Sequence, residues 1–261
     1  MGISVSNLNF FYDKKQILQD ISLEIEEGQL IALIGPNGSG KSTLLKSMLH
    51  LEKPTSGFTC IDGAKIDRLS HRERAKVVAF LSQFPNLQDH MTVEDLVGLG
   101  RQHNKRLFSS LSGEDLELCR KAIDWVDMTS YQKASVLSLS GGQKQRAFLA
   151  MVLAQDTKYI FLDEPTSYLD IHHQIEFIEL LKRLQKEYHK TIVLVLHDLS
   201  LVSKYADYII TLKEGQIYSA GKVKQVFTEE MLWDVFRVCA TICPIKDSSQ
   251  MMSYDFRKRS E

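Results

Sequence analysis

The stretch LIALIGPNGSGKSTLLKSMLHL, residues 30–51, joins a run of apolar residues to a glycine-rich turn and then to a segment with helical spacing. A continuous apolar run of that length suits a strand buried on both faces, as in a parallel sheet. The turn matches GxxxxGK[ST] in the strand-then-helix context that the motif requires. Gly35, Gly38 and Gly40, with Pro36, Asn37 and Ser39 between them, let the main chain wrap closely. Successive N–H groups and the helix N-terminus then face an anion. Lys41 adds a positive charge near the β- and γ-phosphates, Ser42 offers a hydroxyl to Mg2+, and Thr43 closes the motif. The stretch therefore predicts an α/β core built around a nucleotide phosphate site.

Two further apolar runs end in chemically useful groups. YIFLDEP, residues 159–165, delivers Asp163 to the C-terminal edge of the sheet, where open α/β sheets bind ligands. Asp163 suits the Mg2+ shell, and Glu164, one residue beyond the strand, is placed to polarise a water that attacks the γ-phosphate. TIVLVLHD, residues 191–198, ends in His197, a candidate sensor of the γ-phosphate and of the attacking water.

Composition sets the outer bounds. The chain has 261 residues, 44% hydrophobic and 25% charged, which is ordinary for a globular protein with a sizeable core. Its 32 basic and 33 acidic residues nearly balance, so there is no electrostatic footprint for nucleic acid or for an anionic membrane surface. No apolar strip reaches the roughly 20 residues of a membrane span, and no signal-peptide pattern opens the chain, so a soluble intracellular protein is expected. Cys60, Cys119, Cys239 and Cys243 lack zinc or disulfide spacing and are expected to be reduced. MGISVS formally fits a myristoylation pattern, but residues 4–10 alternate like an edge strand, and lipidation is not expected.

Alternation in ISVSNLNFFY and ISLEIEEG predicts antiparallel strands in the first thirty or so residues. KSTLLKSMLHL and IHHQIEFIELLKRLQKEY read as helices that follow buried strands. From Pro85 to Gln155 the periodicity is helical, in TVEDLVGLGR, GEDLELCRKAIDWVDM and GGQKQRAFLAMVLA, the first capped by Thr92 with Asp95 three residues on. The expected fold is a P-loop NTPase core with a parallel sheet, an N-terminal antiparallel β subdomain and an inserted α-helical subdomain. Residues 1–84 and 156–261 form the core and tail, and 85–155 the insertion. YIITLKEGQIYSAG reads as a hairpin turning at Glu214 and Gly215, and a helix is expected near residues 229–236. The tail after Val238 carries no interpretable motif.

The order of motifs resembles the ATP-binding cassette family, the nucleotide-binding subunits of transporters, over most of the chain. Tyr12 matches the aromatic that the family stacks on adenine, and Gln83 in FLSQFP matches its glutamine loop, a contact to Mg2+ and the attacking water. LSGGQ, with Ser140, Gly141, Gly142 and Gln143, matches its signature, SYLD with Asp170 its D-loop, and His197 its switch histidine. The resemblance implies ATP and Mg2+, and a head-to-tail dimer in which the signature of one subunit closes on ATP held by the other. Two bare glycines at a helix N-terminus then admit a neighbour's phosphate. Tyr168 departs from the more usual Ala or His at its place in the D-loop.

HRERAKVVAFLSQ, TVEDLVGLGR and SYLDIHHQIEFIELLKRL are similar to the ATPases of iron–siderophore, haem and vitamin B12 importers. An ATPase peripheral to the cytoplasmic face of the cell membrane is implied, with a separate permease and, indirectly, a substrate-binding protein as partners. The permease is expected to dock between Gln83 and Arg101, where Phe84, Pro85, Leu87 and Met91 are rimmed by Asn86, Gln88, Asp89 and His90. The competing class is a cassette ATPase that moves no solute, such as one for iron–sulfur assembly. A GTP switch is disfavoured because HNKR, residues 103–106, lacks the Asp of NKxD.

Overall fold

The computed structural model describes residues 2–82, 91–104, 111–167, 169–244 and 250–254. They belong to two units, Met1–Arg68 with Gln185–Glu261, and Leu69–Leu184.

In the first unit, β1 (Gly2–Tyr12) pairs antiparallel with β2 (Lys15–Glu26) on one side and with β4 (Ser56–Ile61) on the other. The short β5 (Ala64–Lys65) completes the order β2-β1-β4-β5. Ile3, Val5, Leu8 and Phe10 of β1 are buried. The reading of residues 4–10 as an edge strand is thereby corrected. An interior strand with one wet face has the same period of two as an edge strand, so alternation reports the faces and not the neighbours.

The other sheet strands of this unit begin with β3 (Leu30–Ile34), buried throughout and flanked in parallel by β8 (Thr191–Val195) and β9 (Tyr208–Lys213). β9 turns back into β10 (Gln216–Lys222) through Glu214 (φ 51°) and Gly215 (φ 77°). Two left-handed residues suit the twist of a two-residue hairpin. Helix α1 (Lys41–Met48) follows β3, and α7 (Leu199–Tyr205), α8 (Val223–Val226) and α9 (Glu229–Phe236) follow later. The tail folds back as an antiparallel ribbon, β11 (Ala240–Pro244) with β12 (Gln250–Tyr254), where the sequence showed no pattern.

The second unit holds α2 (His71–Val77), then β6 (Val78–Leu81) in parallel with β7 (Tyr159–Leu162). Helices α3 (Val93–Leu99) and α4 (Gly113–Trp125) pack on α5 (Gly141–Ala154), and α6 (Ile171–Tyr188) follows β7. One buried ion pair pins the three packed helices. Arg101 donates from Nε to Asp115 at 2.8 Å and from its terminal nitrogen to the carbonyls of Ala154 (3.0 Å) and Gln155 (3.1 Å) at the end of α5. Gly100 makes this possible, because a Cβ there would lie 2.1 Å from the Met151 carbonyl oxygen. The LGR of TVEDLVGLGR is thus a packing device, and Arg101 is buried inside the helical packing.

Candidate nucleotide-binding site

In the first unit the glycine-rich loop emerges from β3. Leu33 pairs with Val195, so Gly35 and His197 leave the same end of adjacent parallel strands. Gly35 has φ 152°, and a Cβ on it would stand 2.2 Å from the Leu212 carbonyl oxygen of β9. The hairpin turn braces the loop from behind: the Gly215 N–H donates to the Ser39 carbonyl (3.2 Å), and the Gly215 carbonyl accepts from Gln19 (2.8 Å). Lys41 is only 6% exposed, and its ammonium donates to the carbonyls of Gly35 (2.9 Å) and Pro36 (3.0 Å), which holds the charge inside the curve. The N-cap of α1 is Gly40, with no side-chain cap and no acidic residue in the first turn, which holds Lys41, Ser42 and Thr43. The positive end of the helix dipole therefore meets no carboxylate of its own first turn.

Tyr12 ends β1, 48% exposed, edge-on to Phe10 with ring centroids 4.8 Å apart. Its hydroxyl donates to the Glu52 carboxylate, and that bond, with burial and the Glu52 charge, raises the phenol above its ordinary range. His197 is exposed just before α7, whose N-cap Asp198 accepts from the N–H groups of Ser200 (2.8 Å) and Leu201 (3.1 Å).

In the second unit Asp163 continues the parallel ladder, its N–H donating to the Leu81 carbonyl at 2.9 Å, and the residue is 6% exposed. Glu164 sits in the left-handed region at φ 51°. A glutamate held there costs on the order of 1 kcal/mol, the kind of local strain that clusters at functional sites. Ser167 steadies it by donating from Oγ to the Glu164 carboxylate at 3.0 Å.

Among the described residues, four helices of this unit begin with capping boxes, α2 with Ser70 and Glu73, α3 with Thr92 and Asp95, α4 with Ser112 and Asp115, and α5 with Ser140 and Gln143. Three close the box with a carboxylate, and in α2 and α3 the bonds to Ser70 and Thr92 hold Glu73 and Asp95 below the usual carboxylate range. Only the box of Ser140, followed by Gly141 and Gly142, is closed by an amide, with Gln143 accepting from the Ser140 N–H at 3.0 Å. An amide satisfies the same orphan donor without adding negative charge, so the positive end of the α5 dipole remains available to an anion. Asp170 precedes α6 and accepts from both the backbone N–H (3.0 Å) and the ring of His173 (2.8 Å), which holds its carboxyl below the usual range.

The loop, Tyr12 and His197 thus share the first unit, while Asp163, Glu164, Ser140, Gly141, Gly142, Gln143 and Asp170 share the second. Gln83 and the residues 84–90 expected at the docking segment lie outside the described residues, as does Tyr168. Sequence reasoning missed Glu52, Ser167 and His173 as partners of site residues. His173 and Ser167 had a local signal, the i, i+3 spacing from Asp170 and from Glu164, whereas Glu52 had none.

A strand–loop–helix of this geometry in a parallel α/β core defines a nucleotide-binding protein of the P-loop class. The ABC transporter family profile matches residues 18–167. The chain is 37% identical over 262 residues to the iron(3+)-hydroxamate import ATP-binding protein FhuC of Bacillus subtilis, covering 100% of this chain and 97% of that protein. It is 42% identical over 237 residues to the petrobactin import ATP-binding protein FpuD of Bacillus anthracis, covering 91% and 87%. Among solved structures it is similar to an inward-facing transporter assigned to the metal-chelate ABC type, with TM-score 0.85 and 28% identity over 98% of this chain and 97% of that one. The dimeric ABC transporter cassette MJ0796 gives TM-score 0.73 and 31% identity over 85% and 98%. The chain belongs to the ABC transporter family, of which it is an ATP-hydrolysing subunit. No helix of the described residues is long and apolar enough to cross a membrane.

Proposed function

We propose that this chain drives uptake of an iron–siderophore type of metal chelate through a separate permease, acting as a head-to-tail dimer at the cytoplasmic face of the membrane, with a substrate-binding protein as an indirect partner. The solute class is supported by near full-length similarity to hydroxamate and petrobactin import ATP-binding proteins. The ATP-driven dimer is supported above all by two anion-ready helix starts, α1 without a capping side chain and α5 with an uncharged box. Residues 1–84 and 156–261 serve as the ATP-binding core and tail, and 85–155 as the helical subdomain.

In this mechanism Tyr12 stacks on adenine, and the loop of residues 35–43, through Lys41 and the backbone N–H groups of its residues other than Pro36, holds the β- and γ-phosphates. Glu164 takes the proton of the attacking water, and His197 contacts the γ-phosphate. Ser140, Gly141, Gly142, Gln143 and Asp170 meet the ATP of the second copy. Mg2+ would be held by the Ser42 hydroxyl, Asp163 and Gln83, oxygen donors of the kind it prefers beside phosphate, and it would supply charge neutralisation on the phosphates.

Gln143→Glu tests the shared site. A carboxylate keeps the capping box, so the melting temperature should hold or rise, while ATP-driven pairing measured by size-exclusion chromatography should weaken by about tenfold or more through repulsion of the incoming phosphate. Lys41→Ala should abolish ATP binding outright, and pairing that survives either change would sink the shared-site arrangement.

Docking of the permease in the segment from Gln83 to Arg101 is supported by a cavity of about 490 Å³ between α3 and α4, lined by Met91, Leu99, Leu116 and Ile123 with Glu94 and Arg120 among its polar groups. Leu99 and Leu116 are exposed. A short amphipathic helix of the permease suits such a groove. Leu116→Glu should release the subunit from permease-containing membranes while its ATPase rate in solution stays within about twofold, because a rim charge blocks an apolar partner without touching the nucleotide.

A further inference from the structure

Gly142 has a neighbour of its own. A Cβ built on it would lie 2.7 Å from Cδ2 of His173 and 3.3 Å from Cγ, so the imidazole occupies the space that a side chain would need. The other edge of that ring is fixed by the 2.8 Å bond between Nδ1 and the Asp170 carboxylate, which also accepts the His173 N–H at 3.0 Å. The Asp170 carbonyl in turn receives the Gln174 N–H at 2.9 Å, the first helical bond of α6. One turn further along both helices, Arg146 of α5 donates to Glu176 of α6 at 3.3 Å. The pairs 142/173 and 146/176 therefore run in step from the two helix starts.

We propose that His173 is a positioning residue that fastens the start of α5 to the start of α6, so that the LSGGQ segment and the Asp170 loop move as one piece. Gly142 is then required twice, once to admit a phosphate and once to seat the ring. The Arg146–Glu176 bridge holds the helices together but leaves their first turns free to splay, since it stands more than a turn and a half away from Ser140 and Asp170. The tie matters for catalysis only through the proposed ATP-driven pairing of two copies, on which its functional part rests.

Hydrogen exchange on the nucleotide-free chain reads the tie without any activity. In His173→Ala the amides of Gln143, Lys144 and Gln174 should exchange about tenfold faster, with Leu44 of α1 unchanged. His173→Asn, whose amide nitrogen takes the place of Nδ1, should keep the protection of Gln174. Gly142→Ala should loosen both helix starts by displacing the ring, and combining it with His173→Asn should restore them, because the ring no longer fills the space. In steady-state assays His173→Ala should lower kcat about tenfold, with Kd for nucleotide within about twofold, and His173→Asn should recover most of that rate. Unchanged exchange at Gln143 and Lys144 in His173→Ala, or an equal loss in nucleotide affinity and turnover, overturns the proposal. A parent chain without ATPase activity would overturn the proposed function instead, while the exchange data still decide the tie.

Discussion

Glu164→Gln is expected to reduce ATP turnover by about 10²- to 10³-fold, the usual contribution of a positioned general base. Nucleotide binding should persist, because Lys41, which is held within the loop by the Gly35 and Pro36 carbonyls, is untouched. The substitution is nearly isosteric, and the amide still accepts the Ser167 hydroxyl bond, so the left-handed turn at φ 51° should survive. What is lost is the proposed proton acceptor. An ATP-bound dimer should therefore accumulate, visible by size-exclusion chromatography and by retention of unhydrolysed ATP. Hydrolysis at the parent rate would remove Glu164 from the chemistry and leave only its structural role in the turn.

Arg101→Ala should have the largest effect on stability, about 3–5 kcal/mol, the range for breaking a buried pair by removing one partner. The guanidinium and the Asp115 carboxylate are only 8% and 11% exposed at their side chains, and truncation strands the carboxylate together with the Ala154 and Gln155 carbonyls. Asp115 keeps its bonds from the Ser112 N–H (3.1 Å) and hydroxyl (2.8 Å), which argues for the lower half of the range. At about 2–4 °C per kcal/mol for a chain of this size, the melting temperature should fall by roughly 6–16 °C. Combining Arg101→Met with Asp115→Asn should cost less than Arg101→Ala alone, since the amide keeps the α4 cap and no charge is left buried. A double variant worse than the single would mean that the pair itself supplies the stability.

Most of the proposed phosphate site was legible in the linear sequence because its causes are local. A strand, a turn that needs glycine and a helix start are consecutive, so GPNGSGKST announces its own geometry, and the buried runs at Leu30–Ile34 and Thr191–Val195 declare a parallel core by composition alone. The capping boxes and the hairpin at Glu214 and Gly215 are likewise encoded within a few residues. Whatever depends on distant partners was not legible. That β1 lies inside its sheet is set by β4, some fifty residues away, because a strand's own pattern records which face is wet and not who pairs with its edges. The tail ribbon pairs two segments without alternation, so only the folded chain reveals it. Gly100 and Arg101 read as parts of a motif and Asp115 as an ordinary helix residue, and the three became a packing pin only when α3, α4 and α5 met. Gly142 shows both kinds of information in one residue. Its absent side chain is written in the sequence, but the ring of His173 that fills the space arrives through the packing of α6 on α5, and contact between helices is fixed by the tertiary fold alone.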